Sequence, residues 1–322
     1  MGYASVRGGT ADETALPNRG RSRPCSTVQT EIRTLDEAEV RTVVDWAAAE
    51  GWNPGLHDTR AFSVADPDGF LGTFRDGALA GAISAVRYGA AFGFIGLFLV
   101  PREQRRHLVG IRLGRAALSL LDGRCVGTDG VPAKEHNYKR LAGFRTAWRN
   151  VRYRGAVGGA TGSASADAPT GAPHDAALLP AGQVSFGALA AYDALHFGAR
   201  RDAFLRPWIG LPGHVAWVCA AEPSAGPDST IRGFGVLRPC RDGAKIGPLF
   251  ADDAAIAEAL FLKLAAGAGE VILDVPEANP AAVALTRRHG LVPVFETVRM
   301  YRGGDPGLPA ARIFGITTFE LG

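Results

Sequence analysis

The chain has 322 residues, of which 47% are hydrophobic and 21% charged, with a net charge of +3. These values fit an ordinary globular protein of about two domains, and the charge is too small to recruit nucleic acid by neutralising phosphates. The four cysteines (Cys25, Cys125, Cys219, Cys240) stand too far apart for CxxC metal spacing or a dense disulfide framework, as expected of buried thiols in a cytoplasmic protein, and no apolar run approaches the ~18 residues of a membrane span.

Residues 1–28, MGYASVRGGTADETALPNRGRSRPCSTV, lack an apolar core and read as a disordered tail rather than a secretory signal. TEIRTL (30–35) predicts a strand. DEAEVRTVVDWAAAE (36–50) predicts a helix, with Asp36 as N-cap and Gly51 beyond its end. AFSVADP (61–67) reads as a strand, FLGTFRDGALAGAISAVRYG (70–89) as a hairpin turning at Asp76-Gly77, and FGFIGLFLV (92–100) as an apolar strand. A helix over 108–122, the strand RCVGTDGV, a short helix and WRNVRYRG close this first unit.

A Gly/Ala/Ser/Pro-rich stretch over 155–182 has little to bury and reads as a linker. Beyond it, FGALAAYDALHFGARRDAFLRPWIG predicts two helices, and HVAWVCAAE, TIRGFGVLRPC and AKIGPLF predict strands. A helix over 252–266, the strand EVILDVP and a helix over 279–289 follow.

The two units share words in the same order. FIGLFLVP (94–101) is answered by KIGPLFAD (245–252), GTDGVP (127–132) by ILDVPE (272–277), and NYKRLAGF (137–144) by NPAAVALTRRHGL (279–291). Three matches in register, offset by about 150 residues, imply a duplicated α/β unit with a mixed sheet covered by helices. The units are assigned to 29–154 and 183–322.

VPREQRRHLVGIRLGRAAL (100–118) carries the chemistry. An apolar strand turns into a helix whose first amides are unpaired and bear the positive end of the macrodipole, with Arg105 and Arg106 alongside. The residues alone fit a diphosphate cradle and a solvated basic turn equally well. Carboxylates stand at the matching place in the second unit, Asp252-Asp253, where they cap a helix but repel phosphate.

The strand ending in Val-Pro, the Arg-rich turn and the Ala/Leu helix resemble the acyl-CoA pyrophosphate loop of the GNAT acyltransferase superfamily, Arg/Gln-x-x-Gly-x-Gly/Ala. Arg105, Arg106, His107, Leu108, Val109 and Gly110 fill it, with Leu108 where the first glycine stands. With AAAEGWNPGLHDTRAF, SAVRYGAAFGFIGLFLVP, YDALHFGARRDAFLRPW, KIGPLFAD, VRMYRGG and the final ELG, the chain from about residue 29 onward resembles tandem GNAT proteins. In that type a complete domain precedes a degenerate copy. The chain is also similar to the N-acyltransferases that lipidate an aminosugar of teicoplanin-type glycopeptide antibiotics.

That resemblance implies acyl-CoA as co-substrate and an amine acceptor, a small molecule or a glycopeptide, with no nucleic-acid or membrane partner. It places the CoA site in the first copy and the acceptor pocket partly in the second. Backbone amides around Phe98, Leu99 and Val100 would polarise the thioester carbonyl. Tyr138, one residue from the position of the family's acid (here Lys139), would protonate the leaving thiolate; in the second copy that position is Thr286. His196, at a helix end among aromatic residues, is either a packed histidine or a base reaching across the interface. Trp52 and Asn53 either cover the acceptor or pack a helix–loop junction. Phe92, Phe94 and Phe98 alternate on a face that would suit an acyl chain or a core. Two further readings stay open: an acetyl-CoA-dependent N-acetyltransferase acting on a small amine or aminoglycoside, and a non-catalytic CoA-binding tandem module.

Overall fold

A computed structural model of the chain describes residues 29–105, 108–157, 177–221 and 230–322. The first unit runs β1 (Thr30–Thr34), α1 (Glu37–Ala49), α2 (Asp58–Ala65), β2 (Phe70–Arg75), β3 (Ala78–Tyr88), β4 (Phe92–Leu99), α3 (Val109–Leu120), β5 (Cys125–Gly130), α4 (Glu135–Ala142) and β6 (Arg145–Ala156). The second repeats that order: β7 (Ala177–Pro180), α5 (Phe186–Phe197), α6 (Asp202–Trp208), β8 (Val215–Ala220), β9 (Ile231–Pro239), β10 (Ala244–Ala251), α7 (Ala254–Ala265), β11 (Glu270–Pro276), α8 (Pro280–Arg288) and β12 (Val292–Arg302). It then adds β13 (Ile313–Gly315).

Local chemistry sets several of these elements. Asp36 accepts the Glu39 amide at 2.8 Å and the Glu39 carboxylate accepts the Asp36 amide at 3.0 Å, a complete capping box at the start of α1. Asp76 and Gly77 both take positive φ, +49° and +81°, which gives the two-residue turn between β2 and β3 the twist of its strands.

Two expectations are corrected. AFSVADP is not a strand, because residues 58–65 form α2 with Asp58, Ala61 and Phe62 buried on one face. The alternation Phe62-Ser63-Val64 mimics a strand, but Val64 is exposed while Phe62 stacks on Trp208 of α6 at 6.4 Å between ring centroids. The stretch 155–182 is also ordered at both ends, since β6 runs to Ala156 and β7 begins at Ala177.

Among the described residues the strands form one sheet in the order β1-β2-β3-β4-β5-β12-β6-β11-β10-β9-β8-β7, with β13 beside β10. The strand that closes each repeated unit therefore lies in the other's half, β12 against β5 and β6 against β11. Each exchange is pinned by a buried bidentate ion pair. Arg299 of β12 grips Asp129 of β5 at 2.8 and 2.6 Å, and Arg152 of β6 grips Asp274 of β11 at 2.6 and 2.8 Å.

Helices α1, α2, α5 and α6 share one apolar core that runs through both copies, while α3 and α7 cover the opposite face of each half. A protease site inserted between residues 158 and 176 should therefore yield fragments that co-elute on gel filtration and stay folded. Fragments that separate under native conditions would contradict the shared sheet.

Candidate active site

Strands β4 and β5 run parallel and pair from Phe92–Cys125 to Ile95–Thr128, where the pairing stops. Just beyond, Leu97 is buried at φ +42°, and from Gly96 to Leu99 β4 spends three residues against two of β3. This bulge turns β4 away from β5. Among the described residues, the edge of Phe98, Leu99 and Val100 that faces β5 is left without a partner strand.

The bulge also breaks the alternating aromatic face expected from sequence. Phe92 and Phe94 enter the core shared by the copies, whereas Phe98 turns to the α3 side, its ring 3.6 Å from where a Cβ on Gly110 would stand. Two of those three rings are core, so they do not form one acyl-lining face.

Helix α3 starts against this open wedge. It has no side-chain cap and no acid in its first turn, so its first amides keep their donors free. Leu108, where the resembled loop has glycine, sits at φ +56°, a left-handed conformation that costs a non-glycine residue about 1–2 kcal/mol. Arg105 folds under the turn, its Nε donating to Val100 O at 2.9 Å and its Nη2 to Glu50 at 3.2 Å. Val109 packs over Gly81 and Gly110 faces Phe98. Arg106 and His107 lie outside the described residues.

Tyr138 of α4 packs edge-on against Phe144 and over Gly130 at the end of β5, where a Cβ would stand 2.8 Å from its ring. Its ring thus lies over the end of β5, beyond the residues that β5 pairs with β4. Burial pushes its pKa up to about 12, so it stays protonated and able to donate. Lys139 turns outward to Glu135 at 2.6 Å.

Trp52 ties the end of α1 to β6, and Asn53 ties it to the second copy. Trp52 O accepts from Arg152 at 2.8 Å and Asn53 O from Lys245 at 3.1 Å. The Asn53 amide exchanges two bonds with the Asp242 backbone, at 2.7 and 3.1 Å. His196 is differently placed. It is 1% exposed, its Nδ1 lies 2.8 Å from Tyr192 O, its ring stacks on Phe250 at 4.9 Å, and its Nε2 meets no partner. Burial lowers its pKa, so the ring is neutral and sealed within aromatic packing. Its partners, Tyr192 of α5 and Phe250 of β10, both belong to the second copy, and this geometry is that of the packed histidine.

The second copy keeps the same scaffold but fills its wedge. Pairing of β10 with β11 stops at Ile246–Leu273, and β13 then enters, pairing Leu249 with Gly315 and Phe250 with Ile313. Ile316 N completes the closure by donating to Asp274 O at 2.9 Å. Helix α7 is capped by Asp253, which accepts the Ile256 amide at 2.9 Å. Asp252 is held by Tyr192, Arg232 and Arg312.

A model of the acetyltransferase (GNAT) domain matches residues 189–315, the copy whose wedge is filled. Over 293 residues, 90% of this chain, it is 31% identical to the holothin acyltransferase of Pseudoalteromonas sp. (strain SANK 73390), of which the match spans 92%. The chain belongs to the GNAT acyltransferases. The acyltransferase shares its fold with a putative acetyltransferase from Pyrococcus horikoshii, with a TM-score of 0.71 at 22% identity over 94% of this chain and 100% of that one. It shares it also with a tandem GNAT protein from the clavulanic acid biosynthesis pathway, with a TM-score of 0.55 at 15% identity over 86% and 100%. Among the described residues of this GNAT enzyme no helix is long and apolar enough to cross a membrane, and no cluster of three or more His, Cys, Asp or Glu could hold a metal.

Four charged residues of the GNAT enzyme that sequence reasoning passed over lie behind the Trp52–Asn53 turn: Asp58, Arg238, Lys245 and Glu320, each at most 1% exposed. Arg238 and Lys245 carried a usable signal, a charge inside an otherwise apolar strand. Glu320, a lone acid in a terminal segment, carried none.

Proposed function

We propose that the first copy moves an acyl group from acyl-CoA to a compact primary amine by direct attack on the thioester. The observation that carries this is the contrast between the wedges: one is open beside an uncapped helix, the other is filled by β13 beside a capped one. In this reading the diphosphate takes the first amides of α3, with Arg105 and Arg106 adding charge. The pantetheine follows the free edge of Phe98, Leu99 and Val100, whose amides polarise the carbonyl, and Tyr138 protonates the departing thiolate.

The burial of Phe92 and Phe94 favours a short acyl group over a long chain. Closure of the acceptor side by the Trp52–Asn53 turn favours a small amine over the aminosugar of a glycopeptide, as does the kinship with an enzyme named for acylating holothin.

Native mass spectrometry with release of CoA thiol tests the reading. Acetyl-CoA and decanoyl-CoA are each offered with phenethylamine, glucosamine and lysine. One CoA per chain is expected, with faster thiol release from acetyl-CoA. Binding without release to any amine would leave a CoA-binding module, and faster release from decanoyl-CoA would restore the long-chain reading.

A further inference from the structure

The charged residues behind the Trp52–Asn53 turn come from both copies and are cut off from solvent. Some of their bonds are made. Asp58 accepts the Gly55 amide at 2.8 Å, Arg238 Nη1 donates to Thr317 O at 3.1 Å, and Lys245 donates to Asn53 O at 3.1 Å. Asp58 Oδ1 stands 3.3 Å from Arg238 Nε, an ion-pair distance. Yet, among the described residues, Arg238 Nη2 and both carboxylate oxygens of Glu320 meet no hydrogen-bond partner, and Asp58 Oδ1 and Arg238 Nε have only each other's charge. One buried unpaired polar group costs about 1–3 kcal/mol, and more when charged. A group of them gathered in one place marks a site that something polar completes.

The position of the group says what that is. Glu320 O accepts from Ser84 Oγ at 3.2 Å and lies so close to Gly96 that a Cβ there would stand 1.9 Å from it. Gly96 is the first β4 residue past the last pair with β5, immediately before the bulge. The C-terminal segment of the second copy therefore brings the Glu320 main chain against the strand at the mouth of the first copy's wedge, on the face opposite α3, with its carboxylate one side chain away.

We infer that Glu320 is the proton acceptor for the attacking amine, and that Asp58 and Arg238 hold the acceptor beside it. This rests on the acyl-transfer reading above. The ammonium form of the acceptor gives one proton to Glu320. The freed nitrogen bonds to the acyl carbon as the C–S bond breaks, and its remaining surplus proton balances protonation of the CoA thiolate. Amide and thiol are the products, and the proton held by Glu320 returns to solvent.

Burial raises the Glu320 carboxyl above the ordinary glutamate range. Lys245 of β10, Arg238 of β9 and Arg152 of β6 pull the other way, and Asp58 of α2 adds to the rise. A raised carboxylate is a stronger base than a surface glutamate. The Trp52–Asn53 turn roofs the group, so that turn must move for the acceptor to enter.

Glu320→Gln keeps the size of the side chain and removes its basicity. The probes are acetyl-CoA and whichever of phenethylamine, glucosamine and lysine the wild type acylates fastest. The variant should lose about 10²-fold or more in kcat near neutral pH, with CoA affinity unchanged by calorimetry. The loss should shrink as pH rises toward the amine's own pKa, where the free amine forms without help. Asp58→Asn should raise the KM for the amine more than it lowers kcat.

If the wild type releases no thiol with any of these amines, the acyl-transfer reading itself fails. If the wild type turns over and a folded Glu320→Gln keeps its kcat, this inference fails alone. Should Glu320→Gln not fold, Glu320→Asp decides. That variant keeps the charge but withdraws it by one methylene; a loss confined to kcat supports the role and wild-type turnover overturns it.

Discussion

Replacing both arginines of the turn before α3, Arg105→Ala with Arg106→Ala, is expected to weaken CoA binding by tenfold or more. Each charged hydrogen bond to phosphate contributes roughly 1.5–3 kcal/mol, and tenfold in affinity is about 1.4 kcal/mol. Arg105 is half-exposed and already shares its guanidinium with Val100 O and Glu50, so solvent screening and competition trim its share.

Titration calorimetry should also find one site per chain, because the matching place in the second copy presents Asp253 as a helix cap and β13 as a plug. Two equivalent sites, or an affinity unmoved by the double substitution, would refute this assignment. If instead the turn served only as a solvated surface, both arginines would be dispensable for binding.

The second large effect is on stability. Arg299→Ala should destabilise the fold by about 3–5 kcal/mol, the cost of leaving a buried charge without its partner. Arg299 and Asp129 have side-chain exposures of 5% and 0%. Without the guanidinium, Asp129 would keep only the Asn150 amide at 2.8 Å, in a setting of aromatic rings that includes Phe94.

The same substitution also loosens the strand exchange, since the pair joins β12 of one copy to β5 of the other. The double variant Arg299→Met with Asp129→Leu removes both charges and should recover much of the loss, because replacing an entire buried ion pair by apolar groups is often close to neutral. Urea midpoints of the three proteins test this. A single variant that loses less than about 1 kcal/mol, or a double variant worse than the single, would mean that the pair is not what secures the exchange.

Much of the architecture is legible in short words of sequence. Asp36 with Glu39, the turn at Asp76-Gly77 and the apolar helix patterns are local, because capping and positive-φ turns are decided by residues within one turn of chain. The repeated order of elements followed from three words at a constant offset, and the contrast between Arg105 and Asp253 from charge alone. Leu108 stood out as a departure from the glycine pattern, and its backbone takes the conformation that glycine would accept without strain.

Alternation misled where a helix was short. Phe62-Ser63-Val64 fits period two, and only packing against Trp208 shows that residues 58–65 turn with period 3.6. It misled again across the bulge at Leu97, which sends Phe98 to the opposite face from Phe92 and Phe94.

The sequence by itself determined the duplicated α/β plan, the family likeness and the basic turn before α3, since each rests on neighbours along the chain. The tertiary structure alone decided that β6 and β12 cross between copies, that β13 fills one wedge and leaves the other open, and that Asp58, Arg238 and Glu320 are all buried. Apolar periodicity reports which face of a strand is buried but not which strand lies beside it. A charge buried by segments distant in the chain, as Glu320 is against Ser84 and Gly96, leaves no trace in its own segment.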